Sequence, residues 1–139
     1  MNEKKRQVGE IHAELVVCLT AEDVEDIVVT ALEGGIGYWA CLDNTSDLFE
    51  DAPEDEPVSI TAANILLNGG SLCFYDQEDD FRTIEMNLDD LEQGIRQWIE
   101  SGYDQYGVIN GGKIDCCQID ALVADAIFQF ALLGEIVYG

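Results

Sequence analysis

Apolar residues at Val24, Ile27, Val28, Ala31 and Leu32 recur at i, i+3, i+4, i+7 and i+8, which predicts a helix with one apolar stripe. Thr20 precedes that stripe with Asp23 three residues on, an N-cap and capping-box spacing. Glu22 and Asp23 also lie where the helix dipole favours negative charge. Gly34 fits the position that closes a helix, and Gly35 and Gly37 let the chain reverse into "YWACL" (38–42), which reads as a strand. Upstream, "IHAELVVCL" (11–19) is rich in Val, Leu and Ile and reads as a strand long enough to cross a sheet.

Further along, "VSITAANILLNGG" starts extended, with Thr61 as the cap of a short helix that stops at Asn68, Gly69 and Gly70. "SLCFY" and "FRTIEM" form a hairpin around residues 76–80. Asn87 caps a helix whose Leu88, Leu91, Ile95, Trp98 and Ile99 share a face, and Gly102 ends it. Asp115 is read as the cap of a last helix from Cys116 to Leu133. That helix is expected to bury Ile119, Leu122, Val123, Ala126, Ile127 and Phe130 and to stop at Gly134. "EIVYG" then adds a terminal strand. The sum is an α+β fold, a small antiparallel or mixed sheet of three to five strands with about three helices packed on it. Residues 1–10 read as a flexible start, and 11–139 as one domain with an excursion at 43–57 that holds both prolines and seven acids.

Charge is a stronger signal than composition. Apolar residues are 47% of the chain, enough for a core in a domain of this size, yet 29 Asp and Glu stand against 6 Lys and Arg. Lys4, Lys5 and Arg6 open the chain together, so from Gln7 onward 28 acids face 3 bases, a balance of −25. Self-repulsion on that scale lowers the stability of a compact state, and solubility, life in high salt and a basic partner are the readings open for it. Helix capping does not account for it, because the helix C-termini are not correspondingly basic. Direct binding of nucleic acid is disfavoured by phosphate repulsion, whereas a basic groove that normally holds nucleic acid would attract such a surface. Duplex DNA carries one charge per roughly 1.7 Å of axis, a density that a carboxylate face approaches.

Catalytic chemistry finds little support. His12 is the only histidine, and no G-x-S-x-G, H-E-x-x-H or phosphate-loop pattern occurs. "DNTSD" (43–47) and "DQEDD" (76–80) are rich in oxygen ligands but lack the spacing, glycine and distal glutamate of a calcium loop. Cys18, Cys41, Cys73, Cys116 and Cys117 are odd in number without C-x-x-C spacing, so neither a disulfide framework nor a zinc site is indicated; four of the five lie in apolar runs and read as small buried hydrophobes. No catalytic residue, metal or cofactor is expected. No signal peptide or membrane-length apolar run is read, which points to a cytoplasmic protein without a membrane partner.

The acids themselves form the candidate site. Glu22, Asp23, Glu25 and Asp26 open the first helix; Asp47, Glu50, Asp51, Glu54, Asp55 and Glu56 line the excursion; Asp76, Glu78, Asp79 and Asp80 cap the hairpin. Phe49, Tyr103 and Tyr106 stand among polar neighbours and are candidate aromatic anchors for a partner.

"LTAEDVEDIVVTALEGGIGYW" and "QIDALVADAIFQFALLGEIVYG" resemble a family of small acidic proteins encoded by phages and prophages of Gram-positive bacteria. The two blocks cover about a third of the chain, and no catalytic residue is carried over from them. The resemblance implies an inhibitor of host defence, of the anti-CRISPR or anti-restriction type, working in the host cytoplasm. Together with the charge, the expected partner is a basic nucleic-acid-binding host protein or ribonucleoprotein complex, blocked by mimicry of DNA or RNA. The alternatives are a small-molecule binder, such as a sponge for a nucleotide signal whose phosphate meets backbone amides of the glycine-rich turns, and a phage structural or assembly protein.

Overall fold

Thr20 and Asp23 close a reciprocal capping box. The Thr20 N–H donates to Asp23 Oδ2 at 2.9 Å and the Asp23 N–H to Thr20 Oγ1 at 3.1 Å. This starts α1 (Ala21–Thr30), which buries Val24, Ile27 and Val28. The computed structural model describes residues 3–11, 16–102, 109–115 and 118–139. After α1 come β1 (Ala40–Leu42), α2 (Asp47–Glu50), α3 (Val58–Leu67), β2 (Leu72–Asp76), β3 (Arg82–Met86), α4 (Leu88–Glu100), β4 (Ile109–Asn110), β5 (Lys113–Ile114) and α5 (Ala121–Leu133). The architecture is α+β: a three-stranded antiparallel sheet in the order β1-β2-β3, a small β4–β5 ribbon, and helices that cover one sheet face.

Strand pairing sets which residues face inward. In β2, Leu72, Phe74 and Asp76 are buried while Cys73 and Tyr75 look to the other side, the alternation a half-covered sheet requires. Phe74 meets Phe128 of α5 edge-on at 5.9 Å and 87°, and Trp39 and Trp98 complete a core of fully buried large side chains. Helices α4 and α5 approach closely at Gly94, where a Cβ would lie 2.7 Å from both Ala131 Cβ and Ile127 O. A glycine in mid-helix costs about 1 kcal/mol in propensity; here close packing requires it.

Several boundaries differ from the sequence expectation. Residues 16–19 form no strand beyond a single parallel bridge from Cys18 to Lys113, and Val16 is exposed. A β-rich run becomes a strand only where it finds a ladder partner and a covered face. Helix α3 begins at Val58 on the Pro57 cap, so Thr61 lies inside it and donates its hydroxyl to Glu56 Oε2 at 2.7 Å. Helix α5 begins after Asp120, whose Oδ1 accepts from Val123 N–H at 2.9 Å, later than the Asp115 expectation. Leu122 is exposed, whereas Asp125 and Gln129 are buried. The helix is apolar on most sides, so periodicity could not choose its inner face. Residues 135–139 form no strand. Among the cysteines, Cys18 and Cys41 are exposed and Cys73 is half-buried, against the expectation of burial. Burial first, then the charges of Asp43 and Glu85, pushes the Cys73 thiol above its ordinary pKa. Cys116, Cys117 and His12 lie outside the described residues.

Candidate interaction surface

The glycine corner after α1 is a joint. The helix widens into a π turn over Ala31–Gly35 and is capped at Ile36, whose N–H donates to Ala31 O at 3.0 Å. Gly34 therefore does not end the helix in a left-handed conformation as expected; its φ is not positive. Gly35 is the constrained one, because a Cβ there would sit 3.1 Å from Ala121 O at the start of α5.

This close approach sets Tyr38 and Trp39 over α5. Asp125 accepts three hydrogen bonds from neutral donors: Tyr38 Oη–H at 2.6 Å, Trp39 Nε1–H at 2.8 Å and Gln129 Nε2–H at 3.0 Å. Gln129 in turn holds the C-terminal residues, donating to Tyr138 O at 3.0 Å and accepting from the Val137 and Tyr138 N–H groups at 2.8 and 2.9 Å. The side-chain amide thus takes the place of the strand neighbour that the sequence reading supplied for "EIVYG". Tyr138 stacks on Trp39 at 5.4 Å and donates its hydroxyl to Asp76 at 3.0 Å. Burial first, then the hydrogen bond to Asp125, pushes Tyr38 up to about 12. No buried side-chain nitrogen or oxygen among the described residues lacks a partner. The assembly is saturated, and it leaves no orphan group for chemistry.

The predicted acids divide by environment. Asp23 and Asp76 are buried, 5% and 2% exposed, and lie inside the fold instead of on the expected surface. Asp23 serves the capping box, and Asp76 accepts from Tyr138 and from the Glu78 N–H at 3.0 Å. Glu25, Asp26 and Glu56 are half-buried, and Glu56 is engaged by Thr61. Glu22, Asp47, Glu50, Asp51, Glu54, Asp55, Glu78, Asp79 and Asp80 are exposed. Basic relief is slight: Arg82 sits 3.6 Å from Asp79 and Arg96 3.0 Å from Glu100, both solvent-facing pairs, each worth under about 1 kcal/mol. The half-buried Asp43 at the end of β1 accepts from Thr45 and from Tyr75 Oη–H, and the Thr45 bonds hold its carboxyl below the usual range.

The aromatic anchors also change. Phe49 is half-buried and packs against the core, so it is not the free anchor the excursion suggested. Tyr103 and Tyr106 lie outside the described residues. Among the described residues the most exposed aromatic is Phe81, 65% exposed at the hairpin tip, ahead of Tyr38 at 50%. The turn closes with Arg82 N–H on Asp79 O at 3.0 Å, and both central residues, Asp80 and Phe81, have positive φ of 50° and 55°. Primed hairpin turns ask for that geometry, normally with Asn or Gly; a phenylalanine in it is strained. The sequence reading placed Phe81 in the strand, since Asp-Phe carries no turn signal.

Beside the glycine corner opens a cleft of about 440 Å³ whose lining includes Leu32, Ile36, Ala40, Leu42, Pro57 and Val58. Glu33 lies at its margin and accepts from Ser59 Oγ–H at 2.9 Å. No described helix is long and apolar enough to cross a membrane, and no described group of three or more His, Cys, Asp and Glu side chains is arranged to hold a metal ion. Comparison of the chain with protein-family models, with curated proteins and with solved structures finds no match in any of the three.

Proposed function

We propose that this protein is a non-enzymatic inhibitor that occupies a basic nucleic-acid-binding groove of a host defence complex by presenting carboxylates in place of phosphates. The observation that carries the reading is the exposure of the hairpin tip and the excursion. Glu78, Asp79 and Asp80, together with Asp47, Glu50, Asp51, Glu54 and Asp55, face solvent with almost no neighbouring cation. Phe81 supplies an apolar contact at the centre of the acidic tip. Its strained conformation is the kind of local cost that folds retain where a side chain must be displayed. Phage origin and the anti-CRISPR or anti-restriction setting come from the resemblance of the two terminal blocks and belong to this proposal.

Electrostatic attachment is screened over about 8 Å at physiological ionic strength, so affinity falls as salt rises. The test is affinity capture from a Gram-positive host lysate at low and at high salt, with the wild-type chain and with the triple variant E78Q/D79N/D80N. A nucleic-acid-binding complex retained at low salt, lost at high salt and weakly held by the triple variant is expected. Capture of equal strength in all four conditions would exclude mimicry. A nucleotide-binding reading is less favoured, because the cleft lining includes Glu33 and no Lys or Arg.

A further inference from the structure

We infer that the cleft beside β1 accepts an extended, lysine- or arginine-bearing segment of the partner as an added strand. The inference rests on the basic partner proposed above. It draws on features apart from the acidic tip: an open sheet edge and an apolar trough that run together.

Strand β1 is an edge of the sheet order β1-β2-β3. The Asp43 N–H donates to Cys73 O at 2.9 Å and the Gln77 N–H to Trp39 O at 2.8 Å. With the register Ala40↔Asp76, Cys41↔Tyr75 and Leu42↔Phe74, antiparallel alternation turns the amides of Cys41 and Asp43 toward β2, while Trp39 gives β2 only its carbonyl, its N–H donating to Ile36 O at 3.0 Å. The amides of Ala40 and Leu42 then point away from the sheet. The Ala40 N–H is taken by Ile36 O at 2.9 Å. Among the described residues the Ala40 carbonyl and the Leu42 N–H and carbonyl have no backbone partner and form the free edge, with only the Cys41 thiol near Leu42 O at 3.7 Å. Ala40, Cys41 and Leu42 also line the cleft, so the free edge borders the trough.

An added strand would use both. Its backbone would pair with Leu42, and alternate side chains would enter the space between Ile36 and Val58, the second of which is 45% exposed. Charge chooses the occupant. The cleft lining contains Glu33 and no cation, Asp43 follows directly on β1, and the body around it is strongly acidic. An acidic segment would be repelled, and a purely apolar one would forgo this attraction. At three residues, β1 limits the pairing to a short ladder, which makes the apolar contacts necessary for affinity.

The probe is a short synthetic peptide alternating valine and lysine, titrated into the full chain and followed by amide chemical shifts. Saturable binding with shifts concentrated at Ala40, Leu42 and Val58 is expected. A peptide N-methylated on the amides that face β1 should bind roughly tenfold weaker or worse, as should the V58S variant, whose solvent-facing change leaves the core intact. A valine–glutamate peptide should not bind. The inference is overturned if the valine–lysine peptide does not bind, if N-methylation has no effect, or if shifts map to the hairpin tip. Failure here with salt-sensitive capture intact would remove the strand-addition site and leave the acidic-surface reading standing. Peptide binding with salt-insensitive capture would do the reverse.

Discussion

Two parts of this molecule are rich in carboxylates and use them in opposite ways. At the joint between the glycine corner and α5, Asp125 and Asp76 are buried and surrounded by neutral donors from Tyr38, Trp39, Gln129 and Tyr138. At the hairpin tip, Glu78, Asp79 and Asp80 stand in water with one long pair to Arg82. In the first setting each oxygen has a fixed job in holding the chain together. In the second the charges repel one another and raise the energy of the fold. Residue type alone therefore does not assign a role to an acid; its donors do.

The contrast makes its largest prediction at the joint. Asp125→Ala leaves the Trp39 indole, the Tyr38 hydroxyl and part of the Gln129 amide without an acceptor, two of them largely buried. Urea unfolding should show a loss of about 3 kcal/mol, with the C-terminal residues losing amide protection first. A loss below about 1 kcal/mol would mean that the joint does not hold the fold.

At the tip the sign reverses. Phe81→Gly removes a bulky residue from a positive φ that glycine adopts freely, so stability should hold or rise by up to about 1 kcal/mol. Partner capture should weaken at the same time. A variant that is both less stable and equally well captured would make Phe81 a packing residue. Smaller again, E78Q/D79N/D80N should raise stability slightly at low salt, by about a few tenths of a kcal/mol read from thermal unfolding, with the gain vanishing at high salt.

A further expected effect, visible only in alkali, is a pH dependence of the joint. Tyr38 has its ordinary 10.0 raised to about 12, so the folded state favours the neutral phenol. That contribution is complete below pH 10 and is lost as pH rises from about 10 to about 12. Tyr75 and Tyr138 are also raised, by bonds to Asp43 and by burial with Asp76 respectively. Tyr38→Phe should therefore flatten the alkaline unfolding curve in part. An unchanged curve would detach Tyr38 from the joint's stability.

Much of the scaffold is written locally and was legible. Thr20 with Asp23 and Asn87 with Asp90 form capping boxes, the β2–β3 hairpin falls where β-rich runs flank a polar turn, and Gly134 closes α5 at a φ of 79°. The joint was not legible, because Trp39 and Asp125 lie 86 positions apart and α5 offers apolar residues on most sides, so nothing in its pattern marks Asp125 and Gln129 as buried. Phe81 was missed because tertiary pairing, and no turn residue, imposes its conformation. Gly94 did carry a signal: a glycine inside a helix with no capping role points to close packing. The acidic surface was readable as charge, but only folding separates the carboxylates held inside, Asp23 and Asp76, from those that remain available.

In the proposed role the available acids compete with nucleic acid for one basic groove. This competition is tested most directly by titrating the full chain into the captured complex already loaded with labelled duplex and following displacement at low and at high salt. Mutually exclusive binding is expected, with displacement that weakens as salt rises and weakens again for E78Q/D79N/D80N. A stable ternary complex of chain, partner and duplex, or displacement indifferent to both salt and the triple variant, would contradict it.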